Sequence, residues 1–410
     1  MKCRHCQTEL EHVFVDLINC PPSNSMLKPE QLIEPEPYYP LKIFTCHNCL
    51  LVQVDEMKKA EEIFDSEYTY FSSYSKSWLE HAKNYVEMMI KRFGYNQNSQ
   101  IIEIASNDGY LLQYFKENKV PVLGVDPTAN TAAVAIEKGI DTIVDFFGAD
   151  FARNQLVKKG IQGDLILGNN VLAHVPDIND FIKGVKIALK PDGVNTFEFP
   201  HLMRLVEDCQ FDTIYHEHFS YLSFHAVKRI FENQGLELFD VQELPTHGGS
   251  LRIFAKHKED QSKAFSPNVS DLLKREKEVG ITGMEYYNNF QERVDTIKYS
   301  VWEFLIKARR EGKKVIAYGA AAKGNTLLNY CGVKGNDLIQ FAVDASPHKQ
   351  NRYLPASHIL VRDLDSIAEF KPDYVIILPW NLKKEIGEQL KYIREWGGKF
   401  VTFIPALHIF

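Results

Sequence analysis

Between residues 78 and 93 the apolar side chains Trp78, Ala82, Tyr85, Met89 and Phe93 recur every three or four positions, with Lys, Glu and Arg on the other face and Gly94 following. That spacing lays one apolar stripe along a helix, and a glycine after the last periodic position is a usual stop. From about residue 99 the pattern changes to short apolar runs separated by helical segments, as a parallel sheet with crossover helices requires. The runs predict strands near 100–104, 121–125, 141–144, 165–167 and 194–199. A later pair near 236–243 and 251–256, separated by His247-Gly248-Gly249, predicts an antiparallel hairpin, so a sheet of seven strands is expected. A long helix with Phe290, Val294, Ile297, Val301 and Leu305 on one stripe then leads into a second α/β series. Its strands are expected near 314–318, 339–343, 374–378 and 400–403.

A chain of 410 residues is longer than one hydrophobic core usually serves, so several domains are expected. The pattern divides it into 1–64, 65–258 and 259–410. Lys and Arg are scattered and the formal net charge is -7, which argues against a nucleic-acid partner. No apolar run reaches membrane length, so no membrane partner is expected either. The start Met1-Lys2-Cys3 lacks an apolar leader, and the expected compartment is the reducing cytoplasm, where a monomer is anticipated.

A reducing compartment leaves the cysteines without a disulfide role. Four of them form two Cys-x-x-Cys pairs, Cys3 with Cys6 and Cys46 with Cys49. Two such knuckles supply four thiolates for a closed, tetrahedral, structural zinc site, although the gap between the pairs is longer than usual. The alternative is two reduced pairs that share no metal. Cys20, Cys209 and Cys331 stand alone and read as small buried hydrophobes. Between the knuckles, Glu34-Pro35-Glu36-Pro37-Tyr38-Tyr39-Pro40 excludes helix and suits an extended loop.

The first strand of the sheet runs into a turn of small polar residues, Glu103-Ile104-Ala105-Ser106-Asn107-Asp108-Gly109. Ligands of open parallel sheets sit beyond the carboxyl ends of the strands, at such turns. Asp126, followed by Pro127, ends the second strand about twenty residues on, where a carboxylate accepts ribose hydroxyls. A dinucleotide enzyme shares this geometry but normally carries the fuller Gly-x-Gly-x-x-Gly, which is absent, so the pair fits S-adenosylmethionine. Glu103, Ala105, Asn107, Asp108 and Gly109 would lie along the methionine side, Asp145 and Phe146 near adenine, and Asn169, Asn170 and Val171 beside the sulfonium. Ordinary turn chemistry is the competing reading.

After the fifth strand comes Asp212-Thr213-Ile214-Tyr215-His216-Glu217-His218. Polar groups this dense beside a cofactor sheet are poor core material, because each buried one needs a partner. A reaction site explains them better than a metal site, since the His-x-His spacing matches no common zinc pattern.

Together with the Cys pairs, several runs resemble one family, the nucleotide-deoxysugar C-3′-methyltransferases, over essentially the whole chain. They are Tyr68-Thr69-Tyr70-Phe71-Ser72, the 103–109 turn, 168–177, Tyr215-His216-Glu217-His218, Thr246-His247-Gly248-Gly249, the 318–326 segment and the 344–350 segment. The resemblance implies an α/β fold: a Rossmann-like S-adenosylmethionine methyltransferase domain between an N-terminal zinc-binding domain and a smaller C-terminal Rossmann-like domain. It implies a nucleotide-linked keto-deoxysugar as substrate and His218 as the base, with Tyr215 and Glu217 lining the sugar pocket. Tyr215, His216 and Tyr70 are candidate donors to the developing oxyanion. Tyr68, Ser72, His174, His247, Lys323, Asn325 and Lys349 are implied to bind the substrate, Lys323 by adding positive charge at a diphosphate turn. The rival readings are an O- or N-methyltransferase of a sugar nucleotide, and a zinc-containing binding protein without turnover.

Overall fold

The computed structural model describes residues 1–64, 70–335 and 337–410. Three sheets organise them. The central one has seven strands in the order β10-β11-β8-β7-β4-β5-β6. These are β4 (Ile101–Ile104), β5 (Val122–Val125), β6 (Thr142–Ile143), β7 (Gly163–Asn169), β8 (Leu189–Pro200), β10 (Leu236–Leu244) and β11 (Ser250–His257). The first five run parallel and the closing hairpin antiparallel, as the sequence pattern predicts. β4 lies next to the middle of the sheet and is buried along its whole length, so both faces are covered and its run is apolar apart from Glu103. The Lys76–Phe93 helix packs Trp78, Ala82, Tyr85, Val86 and Met89 inward and ends on Gly94 in the left-handed conformation.

The second sheet, at the N-terminus, is the part that the hydrophobic pattern does not announce. It joins β1 (His12–Cys20), β2 (Tyr39–Thr45) and β3 (Val52–Val54) to β9 (Ser220–Tyr221). β9 comes from the middle of the chain: Gln53 pairs with Ser220 and Val52 with Tyr221. The third sheet has six strands, β14 (Val361–Arg362), β13 (Ala342–Val343), β12 (Val315–Tyr318), β15 (Tyr374–Ile377), β16 (Lys399–Thr402) and β17 (His408–Ile409), all parallel except the last. The Phe290–Arg310 helix turns Val294, Ile297, Val301 and Leu305 inward, as its stripe predicts.

One apolar core runs from β1 and β2 through Phe211, Ile214 and Phe219 to that helix and to β12 and β15. The N-terminal and C-terminal parts therefore share a core and clasp residues 202–221 between them. No helix among the described residues is long and apolar enough to cross a membrane.

Candidate active site

The turn after β4 is wound tightly, with Ala105 at φ 57°, Asn107 at φ 49° and Gly109 at φ 74°. Left-handed backbone is ordinary for glycine and costly for alanine, and a side chain at Gly109 would also meet Ile140 Cδ1 at 2.5 Å. Asn107 offsets its cost by bonding. Its Oδ1 accepts from the Ser72 N–H at 2.9 Å and its Nδ2 donates to the Tyr70 carbonyl at 3.1 Å. The Ser73 N–H donates to Asp108 Oδ2 at 3.2 Å, so the 70–73 segment is tied across the turn. Asp126 braces the turn from β5, accepting from the Asn107 N–H at 2.8 Å and the Thr128 N–H at 2.9 Å.

Glu103 is fully buried and neither carboxylate oxygen has an aligned partner. Burial first, and the Asp126 charge second, push its pKa well up, with the Tyr110 hydroxyl working the other way. Asn169 Nδ2 donates to that hydroxyl at 3.3 Å, while Asn170, at φ 55°, leaves a buried Oδ1 unpartnered. Buried acceptors without donors are rare in folded proteins, and the ammonium and hydroxyl groups of S-adenosylmethionine are donors of the kind these residues lack. Asp145 and the partly exposed Phe146 sit on the loop after β6, and Val171 is buried after β7.

The second cluster is built on the loop between residues 211 and 221. His218 Nδ1 donates to the Thr213 carbonyl at 2.8 Å. A carbonyl only accepts, so in the neutral ring Nε2 carries the lone pair. The ring lies 4.0 Å from that of Tyr215 and 4.6 Å from that of His174, centroid to centroid. Burial, then the neighbouring His174, hold the His218 imidazole well below the usual histidine range. His174 in turn bonds the Glu217 carbonyl through Nδ1 at 2.7 Å, and burial lowers its pKa to about 4. Glu217 accepts from Asn24 Nδ2 at 2.6 Å, yet burial still raises it to about 7.

His218, Tyr215, His174 and Glu217 thus come together. His216 does not join them: its Nε2 donates to the Pro40 carbonyl at 3.2 Å, which turns the ring toward β2. The side chain of Tyr70 is half exposed. Asn325 is buried with its Nδ2 committed to the Ser23 carbonyl at 2.6 Å, and Lys349 bonds the Ala320 carbonyl at 2.9 Å. Tyr68 lies outside the described residues. His247, at φ 55° between β10 and β11, meets the Trp78 ring edge-on at 5.3 Å, and its Nδ1 is buried without a partner. Trp78 also stacks near Tyr110 at 6.0 Å, which joins this loop to the turn after β4.

Several residues near these clusters are given no role by the sequence reading. Glu198, fully buried at the end of β8, accepts from His81 Nε2 at 2.8 Å, Arg252 Nη2 at 2.6 Å and Thr246 Oγ1 at 2.8 Å. A carboxylate inside the apolar run Phe197-Glu198-Phe199 was the available signal. Asp212, also fully buried, accepts from Trp380 Nε1 at 2.7 Å, and burial lifts its pKa to about 6 against the charge of Lys323. Asn24 and Trp380 carry no local signal, because their partners are some two hundred and one hundred and seventy residues away.

The four knuckle sulfurs lie within 4.8 Å of one another, Cys3 3.5 Å from Cys49 and Cys6 3.5 Å from Cys46. None is in a disulfide, and Gln53 Nε2 donates to Cys3 Sγ at 3.2 Å. Four converging thiols with a backing donor fit a structural zinc ion and leave no place for substrate.

Fold, cofactor turn and thiol cluster define an S-adenosylmethionine-dependent methyltransferase with a zinc-binding domain. Three family models match in succession: a zinc binding domain over residues 3–64, a methyltransferase domain over 78–241 and a C-methyltransferase C-terminal domain over 245–405. C-methyltransferase NovU of Streptomyces niveus is 33% identical over 404 residues, which span 98% of this chain and 95% of that protein. The chain belongs to this C-methyltransferase family. Among solved structures, a S-adenosylmethionine-dependent methyltransferase from Clostridium acetobutylicum is 12% identical at a TM-score of 0.34, covering 43% of this chain and 90% of its own. Magnesium protoporphyrin IX methyltransferase ChlM from Synechocystis is 12% identical at 0.33, covering 43% and 78%.

Proposed function

We propose that the enzyme methylates C-3′ of a nucleotide-linked 4-keto-6-deoxysugar, with His218 as the base, in the synthesis of a branched sugar. The observation that carries this is the His218 ring: Nδ1 is held by the Thr213 carbonyl, which leaves the Nε2 lone pair free of that bond, and the ring packs against His174 and Tyr215. Forming a carbon–carbon bond needs a carbon nucleophile, and a ketone provides one when the proton on its neighbouring carbon is removed. A neutral imidazole is the form that accepts that proton, and burial keeps His218 neutral across the physiological range. A positioned base of this kind contributes roughly 10²–10⁴ in rate.

Glu103, Asp126 and Asn170 would hold S-adenosylmethionine, which supplies an electrophilic methyl group when bound. The Tyr215 ring packs against that of His218, and its hydroxyl would donate toward the developing oxyanion, the kind of interaction that strengthens as charge forms. Asn24 and Asp212 act on the loop rather than on the sugar, holding its two flanks to the neighbouring domains. Domain limits at 1–64, 65–258 and 259–410 suit this reading, except that β9 joins the N-terminal sheet.

The test is His218→Gln with a keto sugar nucleotide. Exchange of the C-3 proton with solvent deuterium and methyl transfer are both expected to be lost, while calorimetric binding of S-adenosylmethionine persists. Full turnover in the variant removes the base assignment. Methyl transfer by the wild type without any deuterium entering C-3 points instead to an oxygen or nitrogen acceptor.

A further inference from the structure

Lys323 lies at the start of the Ala322–Tyr330 helix, on the C-terminal side of the cleft. Its Nζ donates to Asn381 Oδ1 at 2.8 Å and sits 5.0 Å above the Trp380 ring. The same indole donates to Asp212, and Thr326, three residues further along the helix, bonds the Ile214 carbonyl at 2.9 Å. Asp212 and Ile214 flank Thr213, whose carbonyl holds the His218 ring. Lys323 is thereby packed against the loop that carries the base.

From this placement we infer that Lys323 supplies the positive charge that polarises the substrate carbonyl and stabilises the enolate oxygen when His218 takes the proton. The inference rests on the keto-sugar reading above and assigns the electrophilic partner to a different domain from the base. The electrostatics agree with the geometry. Burial lowers the Lys323 pKa and the charge of Asp212 opposes that, while the ammonium in turn disfavours a charged imidazole at His218 and His247; Asp212 keeps one oxygen, Oδ1, unpartnered. The ammonium is held by a neutral amide and an indole ring rather than by a carboxylate, which leaves its charge for a further anion. Lys349, by contrast, is spent on the Ala320 carbonyl and Asp344. A fixed cation beside a developing oxyanion, in a site screened from water, is the arrangement that lowers an enolisation barrier. The step balances: the C-3 proton moves to Nε2 of His218, its bonding pair becomes the enolate, and the ammonium keeps its protons.

The rings of Tyr215 and Tyr221, on its own segment, and of His174, after β7, pack around His218, and His247, between β10 and β11, and Lys323 act on it through charge. Lys323 is the charged group among them whose removal leaves the ring's hydrogen bond intact. The experiment measures deuterium entry at C-3 of a 4-keto sugar nucleotide with S-adenosylhomocysteine present, in wild type, Lys323→Gln and Lys323→Arg, across pH. Lys323→Gln is expected to slow exchange at saturating substrate by roughly 10²–10³, as loss of one oxyanion donor does. Its KM should stay within about threefold, and the acid limb should move to higher pH because a charge that disfavours imidazolium is gone. Lys323→Arg should recover part of the rate. A tenfold or larger rise in KM with the saturated rate intact overturns the inference in favour of a diphosphate clamp. No change in either parameter overturns it outright, and so does Lys323→Arg behaving like Lys323→Gln in a protein that melts normally. Absence of exchange in the wild type sinks the keto-sugar reading itself and is thus distinct from failure of the lysine variants alone.

Discussion

Glu198 is a buried carboxylate with three side-chain donors, and replacing it by glutamine separates charge from shape. Burial would raise its pKa, but hydrogen bonds from His81 and Thr246 and the charge of Arg252 outweigh that and hold it at about 2, against 4.5 ordinarily. A group depressed on folding stabilises the protein above its unfolded pKa, and that stability is lost as pH falls through the folded one. A shift of this size corresponds to about 3 kcal/mol at pH 7. Glu198→Gln keeps the volume but leaves the Arg252 guanidinium, 4% exposed, without a counter-ion. Breaking one side of a buried pair costs about 3–5 kcal/mol, and urea unfolding at pH 7 should show a loss in that range. The wild-type advantage should then shrink by about 1 kcal/mol between pH 7 and pH 3.5, because the unfolded glutamate binds a proton over that interval and the folded one does not. Subtracting the two proteins at each pH removes the common contribution of other carboxylates. A loss below about 1 kcal/mol at pH 7, or a difference that does not narrow on acidification, refutes the claim that this network is a charged clamp.

Removing the metal, by chelation or by Cys46→Ser, should release one zinc per chain, lower the melting temperature and abolish methyl transfer while S-adenosylmethionine still binds; undiminished transfer in metal-free protein, checked by atomic absorption, contradicts this. Asn24→Ala removes the 2.6 Å bond that opposes the burial of Glu217, so its pKa should climb further above about 7. A bond to a charged group is worth about 1.5–3 kcal/mol, or roughly one to two pH units, and the acid limb of kcat/KM should move up accordingly; a stationary limb shows that Glu217 need not ionise for turnover.

The central sheet was legible because its strands are buried on both faces and its helices amphipathic, so periodicity alone marks them. The turn after β4 was legible through its small polar residues, and the departures from glycine at Ala105 and Asn107 are still wound left-handed. Asn107 shows how: its amide reaches Ser72 and Tyr70, contacts that no local pattern encodes. The N-terminal sheet was invisible for a related reason. β3 is three residues long and β9 two, and they pair across more than 160 positions, so each is defined by its partner rather than by its own alternation. The same holds for Asp212 and Trp380, whose bond exists only once two domains have docked.

The placement of β9 has a consequence for how such enzymes are assembled and rebuilt. The peptide bearing His218 is threaded, two residues further on, into a ribbon made by the first fifty-odd residues of the chain. A protein shorn of its metal-bearing head would keep a cofactor cleft and lose the scaffold that aims its imidazole. Recombining parts between relatives should accordingly succeed when head and centre travel as a pair, and yield cofactor-loaded but inert hybrids when they are parted.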